Sequence, residues 1–140
     1  MSRILIAGAL ALAISPVLAA PTASLTVKIE KVSPRGGNVR VALYNAQNYA
    51  GDHDPVADKV APAHAGETIV TLENLAPGTY AVKMFQDFNK NGEFDTSWLG
   101  LPLEKYGFSN DAHPTFSEPS FDATKFELRP GANTITIHLQ

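Results

Sequence analysis

Residues 87–95 read DFNKNGEFD, with oxygen-bearing side chains at alternate positions: Asp87, Asn89 and Asn91. Gly92 follows, and Asp95 closes the run. Calcium takes about six to eight hard oxygen ligands, and a short loop of this spacing can deliver several of them. Asp87, Asn89 and Asn91 would point inward. Gly92 would take the bend that a β-carbon hinders. Glu93 would offer its backbone carbonyl, and Asp95 would bind directly or through a water. The twelfth position, where a helix-loop-helix calcium site carries a bidentate Glu, holds Trp98. A strand, not a helix, leads into the loop. The pattern is therefore that of a calcium loop in an extracellular β-module, with Glu104, Asp111 or Asp122 to complete the shell. Two loop carboxylates only balance the ion, which implies weak binding, on the order of 10⁻⁴ M or somewhat tighter. The competing account is a polar turn without an ion, because Asp, Asn and Gly dominate tight turns by mimicking backbone hydrogen bonds.

The aromatic residues beyond the loop offer a second chemistry. Trp98, Tyr106 and Phe108 lie in WLGLPLEKYGFSN. They can form a platform for a sugar or a peptide, since such rings combine large area with a polar handle. Exposed aromatic patches are costly unless used, so the simpler expectation is that these rings fold the segment back onto the domain. Catalytic signals are missing. The chain has no cysteine, no nucleophile elbow and no glycine-rich phosphate loop. Ser109, Asp111 and His113 are too close in sequence for a triad assembled from distant parts of a chain. His53, His64, His113 and His138 are scattered, without the spacing of a zinc site. Asp52, His53 and Asp54 read equally well as a metal cluster or as a loop ending in Pro55. The expectation is a protein that is not an enzyme.

These residues need elements to hold them. The chain opens MSRILIAGALALAISPVLAA, in which Arg3 precedes an apolar run, Pro16 breaks it and small residues follow. This is the layout of a cleaved signal peptide over residues 1–20, and the run falls short of the roughly 20 residues that span a bilayer. Export to the periplasm or the medium follows as an expectation, with no transmembrane anchor after cleavage. Residues 21–140 are the length of one domain. The net charge is −3, and loss of Arg3 makes the remainder more acidic still. That argues against a nucleic-acid partner, which needs a basic stripe, and leaves an envelope or extracellular ligand.

Strict alternation marks strands at Leu25–Ile29, Val39–Leu43 and Ile135–Leu139. The first two, separated by SPRGGN, read as an opening hairpin. Residues 46–66 read as a surface excursion with at most a helical turn. TYAVKMFQD carries apolar residues on both faces, as a central strand does. FDATKFEL reads as one more strand, after a long segment poor in periodicity. About seven short strands without a long helix predict an all-β fold, a single antiparallel β-sandwich with long loops.

GGNVRVALYN at 36–45, LENLAPGTYAVKMFQDFNKNGEFDTSWLGLP at 72–102, EKYGFSNDA at 104–112 and PSFDATKF at 119–126 together resemble the exported bacterial proteins of domain of unknown function family 2141. The resemblance implies an exported sandwich of immunoglobulin-like or prealbumin-like build. It implies no reaction. It places the Asp87–Asp95 loop and the Tyr106–Asn110 segment within the family pattern, as sites to test.

Overall fold

A computed structural model describes residues 8–140. Residues 1–7 of the expected signal peptide lie outside the described residues. The chain forms two sheets. The smaller has the order β4-β1-β8, from β1 (Ala23–Val32), β4 (Gly66–Leu75) and β8 (Gly131–His138). The larger has the order β3-β2-β5-β6, from β2 (Asn38–Tyr44), β3 (Ala57–Pro62), β5 (Gly78–Asp87) and β6 (Tyr106–Phe108), with β7 (Phe126–Leu128) also paired to β5. One 3₁₀ turn (Ser109–Asp111) and one four-residue helix, α1 (Phe121–Thr124), complete the regular structure. The all-β sandwich expected from the alternation is what the chain builds. No helix among the described residues is long and apolar enough to cross a membrane.

The core lies between the sheets. Leu25, Val27 and Ile29 from β1 meet Val39, Val41 and Leu43 from β2, with Val70, Leu72, Val82, Met84, Ile137 and Leu139 around them. Fully burying each such side chain is worth about 1.5–3 kcal/mol, enough in sum to hold the sandwich without disulfides. The alternation slips once in β1. Lys31 takes φ 59°, and the register shifts between Glu30 and Val32. This bulge turns Lys31 out and brings Val32 in, where it is buried. Asn74, at φ 56°, coincides with a second shift where β4 pairs with β1, and Leu75 is buried beyond it.

Three local expectations fail. β1 and β2 are not a hairpin: β1 pairs antiparallel with β4 and parallel with β8, while β2 pairs with β3 and β5. The SPRGGN segment instead carries the chain from one sheet to the other. Gln86, fully buried, holds that crossing by accepting from Ser33 N and donating to Ser33 O and Gly36 O at 2.8–2.9 Å. Turn residues mark a reversal but not which sheet receives the next strand. The 46–66 excursion contains β3, whose residues are mostly exposed because it is a sheet edge. FDATKFEL splits into α1 and β7: Ser120 Oγ accepts from Ala123 N, the bond of an N-cap, and the strand starts only at Phe126. The β1–β8 pairing also makes the sandwich not wholly antiparallel.

Candidate functional site

β5 delivers Asp87 to the end of the larger sheet, where the polar loop begins. The Asp87 side chain has no exposed surface. Its Oδ2 accepts from Arg40 Nε at 2.9 Å and from Gly92 N at 2.8 Å, and its Oδ1 accepts from Asn91 N at 3.2 Å. Burial pushes this carboxyl up, but the Arg40 bond, the two backbone bonds and the Arg40 charge together hold it below the ordinary carboxylate value. Gly92, at φ +81°, packs beside the guanidinium, and a β-carbon there would stand 3.3 Å from Arg40 Nη2. Arg40 therefore sits where the loop folds most tightly.

The remaining loop oxygens are also in use. Asn89 Oδ1 accepts from Asn91 N, and Asn91 Oδ1 accepts from Glu93 N. Asn89 Nδ2 and Asn91 Nδ2 donate to Asp95 at 2.8–3.0 Å. Of the three residues expected to complete a shell, only Glu104 reaches the loop. It is buried, and its two carboxylate oxygens accept from Phe88 N and Asp95 N, both at 3.0 Å. Asp111 pairs with His138, and Asp122 with Lys125. No group of three or more His, Asp or Glu side chains positioned to hold an ion occurs among the described residues. The Asn89, Asn91 and Asp95 side chains meet, with amide N–H groups turned toward the Asp95 carboxylate, whereas the Asp87 carboxylate is taken up by Arg40 and two backbone N–H groups. Glu93 contributes its N–H to this network.

The aromatic segment divides. Thr96 bridges Pro102, Ser97 N donates to Leu101 O, and Gly100 N donates to Ser97 O, which makes a small hairpin. Trp98 sits at its tip, 92% exposed, and the expectation that it folds back onto the domain is corrected. A two-residue tip leaves its first side chain nothing to pack on. Tyr106 and Phe108 belong to β6 and lie half-buried on the outer face of the larger sheet. There they continue an edge-to-face row that runs Phe85–Phe94–Tyr106–Phe108, with centroids 5.5–6.1 Å apart.

This row floors a cleft that the sequence did not announce. Strand register puts Val60, Arg40, Phe85 and Tyr106 side by side across the sheet, and Asp58, Ala42, Lys83 and Phe108 beside them. Ala42, the smallest of these, makes the depression. Phe94, Leu101 and Pro102 from one loop and Pro114, Phe116 and Glu118 from another rise around it, enclosing about 780 Å³. Lys83 ties the second loop down. Its ammonium bonds Glu118 Oε1 at 2.9 Å and Tyr49 O, and lies over the Tyr44 and Tyr49 rings at 4.6 and 4.1 Å. The one sequence signal was the apolar second face of β5. That Phe85 faces a cleft, and not a second core, depends on which loops cover it.

Ser109 is a structural residue: its buried hydroxyl accepts from Val82 N and donates to Thr124 O. Asp111 is aimed at His138 and not at His113, so the three local residues do not form a triad. His53 and His64 do not line the cleft.

No match to the chain was found among the curated proteins or the solved structures. A family model described as an uncharacterized protein conserved in bacteria, DUF2141, matches residues 27–136, from within β1 through most of β8, and takes in the Asp87–Asp95 loop and the cleft. The chain belongs to that family.

Proposed function

We propose that this chain is an exported, non-catalytic binding module that holds an apolar peptide segment in the cleft on the outer face of its larger sheet. The observation that carries the reading is the edge-to-face row Phe85–Phe94–Tyr106–Phe108, half-buried except for the exposed Phe94, lining a cleft of about 780 Å³. Binding sites are concave and mainly apolar, with a few polar groups for orientation. Here Arg40, Asp58 and Lys83 supply those groups. A carbohydrate is the alternative ligand. The edge-to-face stacking favours peptide, because each such contact uses a ring face that a sugar would need. Peptide and glycan arrays probed with the domain test this, with Phe94→Ala and Tyr106→Ala as controls. Peptide binding that both variants lose supports the reading. Glycan binding alone, or binding untouched by either variant, overturns it.

Calcium enters the same proposal as a stabiliser of the Asp87–Asp95 loop. What supports it is the meeting of the Asn89, Asn91 and Asp95 side chains, on a loop whose Asn91 and Gly92 N–H groups donate to the Asp87 carboxylate. An amide flip exchanges Nδ2 for Oδ1 without changing side-chain shape. Flipped Asn89 and Asn91 would turn oxygens toward Asp95 while giving up the bonds from Asn91 N and Glu93 N, and the loop would change from a self-bonded turn into a cation site. Arg40 competes for the same charge, which keeps the affinity low.

A further inference from the structure

We infer that the cleft takes its peptide by a carboxylate, which the Nη1 and Nη2 edge of Arg40 grips while the aromatic row receives the apolar side chains beside it. The inference rests on the reading of the cleft as a peptide site, and it adds the charged group that such a peptide carries.

Arg40 leaves β2 on the outer face of the larger sheet, with Phe85 directly across on β5 and Tyr106 beyond it on β6. Asp87 stands two residues further along β5, on that same face. The Arg40 side chain reaches toward it and commits Nε to Oδ2 at 2.9 Å. The N–H groups of Nη1 and Nη2 remain. Among the described residues neither nitrogen has a hydrogen-bond partner, and neither is sealed from solvent, because no buried side-chain nitrogen or oxygen goes unpaired. The side chain is about a third exposed and lines the cleft together with Gly92 and Phe94. A β-carbon at position 92 would press on Nη2 from 3.3 Å, and glycine spares it that contact.

The other charges of the cleft direct an anion to Arg40. Lys83 is bonded to Glu118 Oε1 and to Tyr49 O, and Lys59 donates to Thr71 O of the smaller sheet. Asp58 sits one row along from Arg40, beside Ala42. Burial and the charges of Glu118, Asp58 and Asp54 push the Tyr44 hydroxyl up, which marks that end of the cleft as negative. Asp87 offsets the Arg40 charge, so the guanidinium does not attract anions from a distance. What it offers is geometry. Two parallel N–H bonds from Nη1 and Nη2 match the two oxygens of a carboxylate, a fit that an ammonium lacks. The bond to Asp87 holds the fork in place before the ligand arrives, and the rings around it lower the local dielectric in which the new bonds form.

The full chain is titrated with fluorescein-labelled apolar peptides, each made with a free C-terminal carboxylate, as the C-terminal carboxamide, and as the carboxamide with one internal Asp or Glu. A carboxylate form should bind about 10–100-fold tighter than the plain carboxamide, the range of a hydrogen bond to a charged group. Preference for the free C-terminus alone assigns the carboxylate to a chain end, and an equal gain from internal Asp or Glu assigns it to a side chain; both support the inference. Arg40→Lys keeps a charge beside Asp87 but loses the fork, so it should erase most of the preference while still binding the carboxamide. Carboxylate and carboxamide forms bound equally well, with Phe94→Ala abolishing both, overturn the inference and leave the peptide reading intact. A carboxylate preference untouched in Arg40→Lys overturns it as well. Failure of every form to bind overturns both. The comparison of peptide forms uses the unaltered chain, so it decides even where Arg40→Lys fails to fold.

Discussion

Arg40 Nε lies 2.9 Å from Asp87 Oδ2, a carboxylate with no surface of its own, and so a residue of β2 neutralises the first residue of the polar loop. The pair fixes three things at once: the end of β5, the bend at Gly92 and one wall of the cleft. Removing one partner of a buried pair leaves an uncompensated charge and costs about 3–5 kcal/mol. Arg40 is about a third exposed, which places Arg40→Ala near the lower end. Denaturant titration should show that loss, and a cost within experimental error would mean that water already solvates Asp87.

Acid should act through the same carboxyl. The Asp87 value is lowered from 3.8 in the folded state, as is that of Asp111. The unfolded chain then binds more protons between the folded and unfolded values, so stability rises with pH there. The contribution is complete above the unfolded value and is lost as pH falls through the folded one. Melting temperature should hold steady from neutral pH down to about 5 and decline below about 4. Asp87→Asn should flatten part of that decline. An unchanged slope would assign acid sensitivity to other groups.

Gly37 and Gly100 both have positive φ, yet substitution should separate them widely. A β-carbon on Gly37 would stand against the Asp87 carbonyl and the Phe88 Cα, within 2.8 Å of the latter, while one on Gly100 meets nothing within 4 Å. Gly100→Ala should cost only backbone strain, about 1 kcal/mol. Gly37→Ala adds a backbone clash and should cost about 3 kcal/mol or more. Equal thermal shifts would show that the chain crosses between sheets with more room than its packing implies.

Millimolar calcium should raise the melting temperature relative to chelator, and magnesium should do less because it needs a tighter octahedron. At ten times the dissociation constant the gain is about 1.4 kcal/mol. Asp87→Ala should remove it. Coincident melts with and without calcium, joined to a silent calorimetric titration, would leave the loop as a self-satisfied polar turn.

Trp98→Ala should change stability by no more than about 0.5 kcal/mol, because the ring is on a hairpin tip. Tyr106→Ala should cost about 1–3 kcal/mol, since it breaks two edge-to-face pairs on the sheet. Thermal melts of the two variants separate the effects. A large loss at Trp98 would place that ring against the domain.

Intact-mass measurement of protein from the envelope fraction should give a chain starting near Ala19 to Pro21. A mass that begins at Met1 would remove the signal peptide from the account.

What the sequence made legible was whatever a period of two encodes. The inward faces of β1, β2 and β8 were readable because Leu25, Val41 and Ile137 alternate with polar neighbours. Partnership was not readable: β1 looks like half of a hairpin with β2 until Gln86 is seen gripping the crossing between sheets. β3 stayed hidden because an edge strand buries little. Of the candidate site residues, Asn89, Asn91 and Asp95 bond one another, while Asp87 is turned to Arg40 and to backbone N–H groups, a role for Arg40 that does not follow from the loop itself. Glu104 was found as a candidate ligand and proves to be a brace for two backbone amides. Trp98, Tyr106 and Phe108 were grouped by type, whereas a hairpin and a strand separate the first from the other two. The Asp111–His138 pair spans 27 positions and exists only because the 3₁₀ turn lands beside the last strand.

The first and last strands are neighbours, and this governs time. Asn133 Nδ2 donates to Ser24 O across 109 positions of chain, and β1 is the middle strand of its sheet. Its second flank therefore stays open until β8 has been made. Loop-closure entropy must be met before such distant pairings return anything, which puts domains of this kind in the millisecond-to-second range of folding rates. A nascent chain of this protein remains unfinished, with Leu25, Val27 and Ile29 lacking their last cover, until β8 arrives more than one hundred positions after the β1 residues it pairs with.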